Sequence, residues 1–471
     1  MLYSLAHSPV NQFGLISDSP SGDFSPGEER SVPSEAFAQL AGKSPPRTAR
    51  ALLLDPVFGG FFVGKIVATC GVWVHNLVAA VVVFQISGSA LVVGIVTAVQ
   101  FGPQLVLSPW AGALADRGNP ARQIIIGRLV QASGSAALAL VIWLQGGVSS
   151  MSSAAPVVIC SAIAGVGTVL GSPALQSLVP LMVRDDEIGL AVTLNTFPMT
   201  AARAAGPALG AVALTSLGAA WALAGAAAAG LGFAAFVAAA RLGRLTPTKQ
   251  RGTDYSVRAA VRAVRADGPM VAALIGVAAV GVAADPPLTL GPVTATARGM
   301  GPEGAGWIVS AFGIGAALAF ALVGRAQRRW GEPLVASAGL ALIGVVTALS
   351  AIDNPLVVTM ALFTLAGIGM SAAIASLTSI VQQRCPAELR GRVMALWLMS
   401  FLGLRPLAAA LNGFLADVVS LEAAYLVSGG LVLAVLVLCR PRRLGAKDRP
   451  GRRRIPALGI SINRKRTKGI A

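Results

Sequence analysis

Four ionisable side chains lie deep inside long apolar stretches of the sequence: Lys65, Arg203, Asp285 and Arg405. A charge inside a lipid bilayer is costly, and such residues usually serve binding, proton transfer or transport. Asp285 is the acid among them, and a carboxyl group in surroundings of low dielectric constant can exchange protons near neutral pH. We therefore interpret Asp285 as the candidate proton-coupling site. The alternative is that it lies at the membrane surface and caps a helix broken by the prolines that follow it.

The three basic residues allow different roles. Lys65 lies about two turns from the end of its stretch, so snorkelling to the lipid headgroups explains it as well as substrate contact does. Arg203 and Arg405 occupy matching positions in two stretches and lie too deep to snorkel. Each is therefore expected to face a cavity or a polar partner.

Three further polar or amphipathic side chains lie in the middle of the first apolar stretch: Trp73, His75 and Asn76. Such groups can line a cavity for a substrate, but they can equally well form hydrogen bonds between helices. Together with the four ionisable residues they are the candidates for substrate or proton binding.

Other chemistry has little support in the sequence. The cysteines are far apart, show no CxxC spacing and cannot form a metal site with the two histidines. No Walker loop, GxSxG or HExxH motif occurs, so we expect neither direct use of ATP nor an enzyme. No cofactor is expected, and the proton gradient is the expected energy source. The cysteines are Cys70, Cys160, Cys385 and Cys439.

The elements that position these residues must cross a membrane. The chain has 471 residues, of which 55% are hydrophobic and 12% charged, with a mean hydropathy of +0.72. A bilayer core about 30 Å thick needs roughly 20 apolar residues of helix to cross it. Continuous runs of Ala, Leu, Val and Gly predict helices, whereas a barrel would show alternation of apolar and polar residues. We predict an all-α membrane protein with twelve spans near 57–83, 91–112, 123–145, 154–178, 188–214, 217–240, 268–293, 304–325, 334–352, 355–379, 392–416 and 422–439.

Basic residues set the expected orientation, since short loops rich in Lys and Arg stay in the cytoplasm. The loops after even-numbered spans are basic, whereas those after odd-numbered spans hold essentially one basic residue, Arg298. Both termini are therefore predicted to be cytoplasmic. The formal net charge of +17 comes from these loops and the C-terminal tail. Attraction to anionic lipid explains that tail better than nucleic-acid binding does.

An internal repeat predicts two bundles. The loop that begins at Gly112 resembles the loop that begins at Gly324, and the loops after spans four and ten also match each other. Transporters built from such repeats bind substrate near the midplane, between the halves. The predicted organisation is a disordered tail at 1–52, a six-helix bundle at 53–240, a basic linker with an amphipathic helix at 241–267, a second bundle at 268–440 and a basic tail at 441–471.

Loop motifs over about residues 50–440 resemble the major facilitator superfamily. The loop between spans two and three carries its signature in Gly112, Leu114, Asp116, Arg117 and Arg122. Within the superfamily, the stretches 84–90, 195–210 and 386–394 are most similar to bacterial drug and siderophore exporters of the enterobactin-exporter type. There are departures, because Arg328 replaces the acid in the second half and Ala202 replaces a glycine usual in antiporters.

The resemblance implies a location in a bacterial inner membrane, and it also implies a gate. Asp116 would lie against the N-terminus of span eleven, near Arg390 and Arg392, and latch the halves on the cytoplasmic side. The alternative is a basic turn that only sets topology. The small residues Gly206, Pro207 and Gly210 predict close packing of span five, with Pro207 as a possible hinge.

We expect a secondary transporter that exports a small amphipathic molecule, a siderophore or a drug, in exchange for protons. The expected partners are the lipid bilayer, the small molecule and protons, without nucleic acid and with the chain as a monomer. An importer of a small metabolite with the same fold is the alternative. A non-transporting membrane sensor or a membrane enzyme is a further one, but an enzyme would cluster His, Asp, Glu or Ser groups at one membrane face.

Overall fold

The computed structural model describes residues 47–244, 257–386 and 389–446, without the side chains of Asp116, Arg117, Val257, Arg258, Phe320, Ala321, Arg390 and Gly391. Within these ranges all regular structure is helical. This follows from the apolar composition, because a helix satisfies its own backbone hydrogen bonds in a bilayer, where water cannot. The predicted N-terminal tail and most of the C-terminal tail lie outside the described residues.

The N-terminal bundle contains six apolar spans, two of which are interrupted. Its helices are α1 Ala49–Leu53, α2 Phe58–Ser87, α3 Ala90–Phe101, α4 Pro103–Arg117, α5 Pro120–Leu144, α6 Ala155–Leu178, α7 Ile188–Leu194, α8 Phe197–Leu217 and α9 Ala219–Ala239.

The C-terminal bundle repeats this order of long and interrupted helices after a short helix in the linker. Its helices are α10 Val257–Ala266, α11 Gly268–Ala283, α12 Pro286–Thr289, α13 Gly291–Ala297, α14 Ala305–Trp330, α15 Glu332–Leu349, α16 Leu356–Arg384, α17 Arg390–Gly403, α18 Arg405–Val418, α19 Leu421–Leu436 and α20 Pro441–Leu444.

The number of spans agrees closely with the prediction. Among the described residues, nine helical stretches are long and apolar enough to cross a membrane, and the bent α14 makes ten. The remaining two predicted spans coincide with α8, which has 21 residues, and with α19, a shorter apolar helix of 16 residues. Every predicted span therefore overlaps a helix or an interrupted helix.

Within the described ranges, four spans are interrupted, and each resumes at or next to a proline: Pro103, Pro198, Pro286 and Pro406. Proline lacks a backbone N–H and its ring clashes with the carbonyl four residues earlier, so it is favoured at a helix start and disfavoured within one. The break at Asp285 follows from the proline pair, as predicted. The fifth span, predicted near 188–214, is divided in the structure at Asn195 and Thr196.

The two bundles pack alike. In the N-terminal bundle α5 contacts α6 and α9, and in the C-terminal bundle α15 contacts α16 and α19 in the same way. Between the bundles, α3 packs against α18 and α8 packs against α14. We call the membrane face that carries the α2–α3 turn the Asp417 face, and the opposite face, with the α6–α7 connection, the Glu187 face.

Glycines allow the close approach between bundles toward the Asp417 face. A Cβ atom at Gly94 of α3 would lie 2.4 Å from the Ala409 carbonyl oxygen of α18, and one at Gly313 of α14 would lie 2.4 Å from the Arg203 carbonyl oxygen of α8. Toward the Glu187 face, by contrast, a cavity of about 110 Å³ lies between α4 and α17. The bundles are thus joined most tightly on the Asp417 side of the midplane.

Candidate functional site

Side chains from both bundles meet at a small cavity near the membrane midplane. Its volume is about 10 Å³, which is room for roughly one water molecule. Two guanidinium groups face it among otherwise apolar side chains. The lining residues are Trp73, Arg203, Ala284, Pro287, Leu288, Val309, Phe312 and Arg405.

Arg203 reaches the cavity from α8 and is half-buried. Its guanidinium carbon lies 5.6 Å from the centre of the Trp73 ring, and its Nη1 donates a weak hydrogen bond to the Met370 sulfur at 3.6 Å. A cation over an indole face is stabilised by the ring quadrupole. Trp73 is thus the member of the first-span polar group that lines the cavity.

Arg405 reaches the same cavity from the start of α18 and is 5% exposed. Its guanidinium carbon lies 4.3 Å from the centre of the Phe101 ring, which belongs to the other bundle. Among the residues that the structure describes, its buried Nε has no hydrogen-bond acceptor. Since a buried donor without an acceptor is costly, this N–H is available for a further partner.

Asp285 lies at the junction between α11 and α12 and is fully buried. The Thr289 hydroxyl donates to its Oδ1 at 2.9 Å, and the Asn412 amide donates to its Oδ2 at 2.9 Å. Ser428 in turn donates to the Asn412 side-chain oxygen at 2.5 Å. Asp285 forms no ion pair within 4 Å among the described residues. It therefore lies beside the cavity, in a polar network of the C-terminal bundle.

Lys65 does not reach the membrane surface, since it is 6% exposed. Its Nζ donates to the backbone oxygen of Asn195 at 3.0 Å and to its side-chain oxygen at 2.5 Å. The Asn195 amide donates onward to Gln176 at 2.6 Å. Lys65 thus satisfies backbone that the break between α7 and α8 leaves without a helical partner.

His75 and Asn76 point into the N-terminal bundle and do not line the cavity. The His75 Nδ1 lies 3.0 Å from the Ser135 hydroxyl and its Nε2 lies 3.4 Å from the Ser161 hydroxyl, which joins α2 to α5 and α6. Asn76 accepts a hydrogen bond of 2.5 Å from Gln100 of α3. Their contacts are therefore hydrogen bonds between helices.

The small residues of α8 pack against α2. A Cβ atom at Gly206 would lie 2.6 Å from the Trp73 Cβ, and one at Gly210 would lie 3.1 Å from Leu77. Pro207 lies inside an uninterrupted α8, and the break in this span comes earlier, before Pro198. The close packing positions Arg203 opposite Trp73.

The structure leaves the predicted latch largely undescribed, because the side chains of Asp116, Arg117 and Arg390 lie outside the described residues. Other residues of the predicted gate are described at the Glu187 face. Leu114 and Arg122 are exposed, and Gly112 and Arg392 are half-buried. The latch stays a prediction.

A contact that the sequence does not predict closes the Asp417 face. The Asp417 carboxylate, at the end of α18, accepts hydrogen bonds from the backbone N–H groups of Ala90 at 2.8 Å and Leu91 at 3.0 Å, and from the Ser89 hydroxyl. Gln85 also donates to Glu303 across the bundles at 2.8 Å. Ser89 before an apolar run is a readable helix start, but nothing in the sequence links it to Asp417.

A second cluster lies at the Glu187 face. The Glu187 carboxylate accepts hydrogen bonds from the guanidinium of Arg47 at 2.8 Å and from that of Arg184 at 2.6 Å. These hydrogen bonds hold the pKa of Glu187 well below its usual range. The cluster ties the segment before α1 to the turn before α7.

The helices and the midplane site define a polytopic membrane transporter with two similar bundles. A sequence model of the transmembrane secretion effector family matches residues 47–470, and the chain belongs to that family. No curated protein matches the chain in sequence. This family is one of transporters, so the prediction that the chain is not an enzyme is confirmed.

Solved transporter structures share the fold. A bacterial homologue of the iron transporter ferroportin, in an inward-facing state, aligns with a TM-score of 0.65 and 13% identity over 83% of this chain and 100% of its own. A point mutant of the peptide transporter POT aligns with a TM-score of 0.64 and 15% identity over 86% of this chain and 97% of its own. A bacterial homologue of the human lysosomal transporter Spinster, in an inward-facing conformation, aligns with a TM-score of 0.61 and 14% identity over 82% of this chain and 95% of its own. The predicted major facilitator fold is thereby confirmed.

Proposed function

We propose that this chain exports a small amphipathic molecule, such as a siderophore or a drug, by alternating access and in exchange for protons. The observation that carries the proposal is the midplane cavity with one arginine from each bundle, Arg203 and Arg405. A ligand bound there contacts both bundles, so its binding can be coupled to their relative movement. The secretion described for the matching family supports the outward direction.

Asp285 is the proposed proton site. It is a fully buried carboxylic acid next to the residues that line the cavity, and it lies at a break in its span, where backbone movement is easiest. Its partners Thr289 and Asn412 are neutral donors, so no cation within hydrogen-bond reach fixes its charge. A proton can then bind or leave as the bundles change position.

We place the Asp417 face outside the cell and the Glu187 face in the cytoplasm of a bacterium, with both termini inside, because the basic connecting segments lie at the Glu187 face. The bundles that we propose as domains span 53–240 and 268–440, and the chain acts as a monomer. In this orientation the described conformation is closed toward the outside. Asp116 would form the opposite, inner latch, so that Asp116→Asn should reduce transport while the protein still inserts.

Import is the second candidate, and one observation favours it. Asp285 follows Ala284, which lines the same cavity as Arg405, so the two opposite charges attract each other although no hydrogen bond joins them. A proton on Asp285 would weaken that interaction and free Arg405 for a substrate, so that proton and substrate would bind together and move in the same direction.

The test follows proton movement in everted membrane vesicles with an acid interior. The added compounds are those that overproducing cells secrete. We expect wild-type vesicles to lose protons when these compounds are added, vesicles with Asp285→Asn to show no such loss, and the surface control Asp353→Asn to behave as wild type. Equal proton loss with Asp285→Asn contradicts the proton site. Proton gain in place of loss favours import.

A further inference from the structure

We propose that the transported molecule is an amphipathic organic anion that binds between Arg203 and Arg405. This inference rests on the proposed transport function and names the substrate class of the same site. It comes from the charge balance of the cavity and from the way in which each guanidinium is held.

The charge balance of the membrane core is positive. Away from the ends of the described membrane helices, Asp285 is the one acid, whereas Lys65, Arg128, Arg203 and Arg405 are basic. The cavity itself is lined by two guanidinium groups and no carboxylate. Asp285, next to the cavity, offsets only one of these two charges, so a net positive charge remains in surroundings of low dielectric constant. A bound anion relieves its cost.

The aromatic contacts of Arg203 and Arg405 leave guanidinium N–H donors free to bond an anion. Trp73 and Phe101 lie against Arg203 and Arg405, with the guanidinium carbons 5.6 Å and 4.3 Å from the ring centres. Contact with an aromatic ring takes up none of the N–H donors of a guanidinium, so these donors stay available, apart from the Arg203 Nη1 that bonds Met370. Guanidinium donors match a carboxylate in a two-point contact. The Arg405 Nε, buried without an acceptor, is such a donor.

A cationic substrate has no comparable partner. Both Asp285 oxygens already accept hydrogen bonds, from Thr289 and from Asn412. A cation in the cavity would also lie next to Arg203 and Arg405. Repulsion from two guanidinium groups would exceed any attraction to the one carboxylate.

The remaining lining requires an apolar body on the anion. Trp73, Leu288, Val309 and Phe312 contribute apolar surface from both bundles. The present volume of about 10 Å³ cannot hold an organic anion, so the bundles must separate to admit one. Once bound, an anion attracts one arginine of each bundle and favours closure around itself. The interior-negative potential of a cell pushes an anion outward, which agrees with export.

The test measures equilibrium binding of two probes with the same ring system and opposite charge, naphthaleneacetate and naphthylmethylammonium. The full-length protein is placed in phosphatidylcholine nanodiscs. We expect the anionic probe to bind more tightly than the cationic one, and Arg203→Gln and Arg405→Gln each to weaken it about 10- to 100-fold, the effect of losing a charged hydrogen bond. Arg203→Lys and Arg405→Lys should retain part of the affinity, because lysine keeps the positive charge but cannot form the two-point contact of a guanidinium with a carboxylate.

Arg128→Gln is the matched control, since it removes a buried charge of the same bundle outside the cavity. It should change the affinity by less than about threefold, because Arg128 packs over the Phe233 ring and does not line the cavity, so it cannot bond the probe. No binding of the anionic probe, preference for the cationic probe, or an equal loss with Arg128→Gln overturns the proposal. Adding phosphatidylglycerol distinguishes two sources of the anion. If this lipid competes with the probe, the natural anion is a lipid; if it does not compete, the natural anion is a soluble molecule.

Binding and transport can fail separately. Anion binding that depends on both arginines, without any flux in vesicles, supports the site and contradicts the proposed exporter. Flux of the cationic probe without flux of the anionic probe would support a transporter and overturn the anion site.

Discussion

Asp417 caps a helix of the opposite bundle. Its carboxylate accepts hydrogen bonds from the N–H groups of Ala90 and Leu91 at the start of α3, 2.8 Å and 3.0 Å away, although Ala90 precedes Asp417 by 327 residues. The first N–H groups of a helix have no partner within the helix, and its positive end attracts a carboxylate. The cap is therefore a bond that exists only while the bundles are closed at this face.

The cap is the counterpart of the latch predicted for Asp116. In both, an acid at the end of one span would meet the N-terminus of a helix in the other bundle: Asp417 does so at one face and Asp116 is predicted to do so at the other. Alternating access then corresponds to exchanging one cap for the other, since each stabilises closure of its own face.

Asp417→Asn should shift the equilibrium toward opening of the Asp417 face. Loss of a capping interaction costs about 0.5–2 kcal/mol, which is roughly a 2- to 30-fold change in the population ratio. The measurement is the distance distribution between spin labels at positions 149 and 357, in a background whose native cysteines are replaced.

Asp353→Asn is the control for this experiment. Asp353 pairs with Arg298 at 2.5 Å within the C-terminal bundle, so its loss should leave the distribution unchanged. Equal distributions for Asp417→Asn and the wild type would show that the cap does not hold the bundles together.

Gly94→Ala should also hinder closure. The added Cβ would lie 2.4 Å from the Ala409 carbonyl oxygen, which belongs to a helix backbone and cannot move alone. Overpacking of this kind costs about 1–3 kcal/mol. The same spin-label distance should lengthen, whereas Gly232→Ala, where nothing lies within 4 Å of the new Cβ, should have no effect. A shortened or unchanged distance in Gly94→Ala would count against close glycine packing at this seam.

Ser135→Ala should destabilise the N-terminal bundle and leave transport affinity unchanged. It removes the 3.0 Å partner of the His75 Nδ1, and a buried polar group without a partner costs about 1–3 kcal/mol. Ser133 of the same helix is exposed and bonds its own helix, so Ser133→Ala is the control in detergent unfolding. A changed half-saturation concentration with unchanged stability would instead assign His75 to the substrate.

The Glu187 cluster should give stability that depends on pH. Because Arg47 and Arg184 lower the pKa of Glu187 in the folded state, its contribution is present above the unfolded pKa of about 4.3 and is lost as the pH falls toward the folded value. Glu187→Gln should therefore be less stable than the wild type at pH 7, with a difference that is constant down to about pH 5 and shrinks below about pH 4. Asp186→Asn, whose contact with Arg184 is 3.9 Å, should show little difference. If unfolding measurements show the same stability difference between Glu187→Gln and the wild type at low pH as at pH 7, the proposed ionic contribution of Glu187 is contradicted.

The sequence predicts the spans well because a bilayer imposes a length and a composition on every helix that crosses it. It predicts side-chain direction poorly for α2, which is apolar and largely buried around its whole circumference, so that its pattern shows no preferred face. For this reason Trp73, which lines the cavity, could not be separated from His75 and Asn76, which bond to neighbouring helices. The broken spans were only partly foreseen, since Pro198 divides its span and Pro207 does not.

The pairing of distant residues lies beyond what the sequence provides. Ser89 marks a helix start, and Asp417 marks the end of an apolar run, but their contact depends on how the bundles pack. The same holds for Arg203 and Arg405, which were predicted to be buried and in matching positions. Only the fold places both of them at one cavity.

Proton-driven export through the midplane site should change the small-molecule content of living cells. Small molecules are measured by mass spectrometry inside and outside cells that lack or overproduce the chain, with and without a protonophore. The prediction is that overproducing cells hold less of a specific amphipathic compound and release more of it, and that the protonophore and Asp285→Asn both abolish the difference. Intracellular pools that respond to neither the chain nor the protonophore would contradict it.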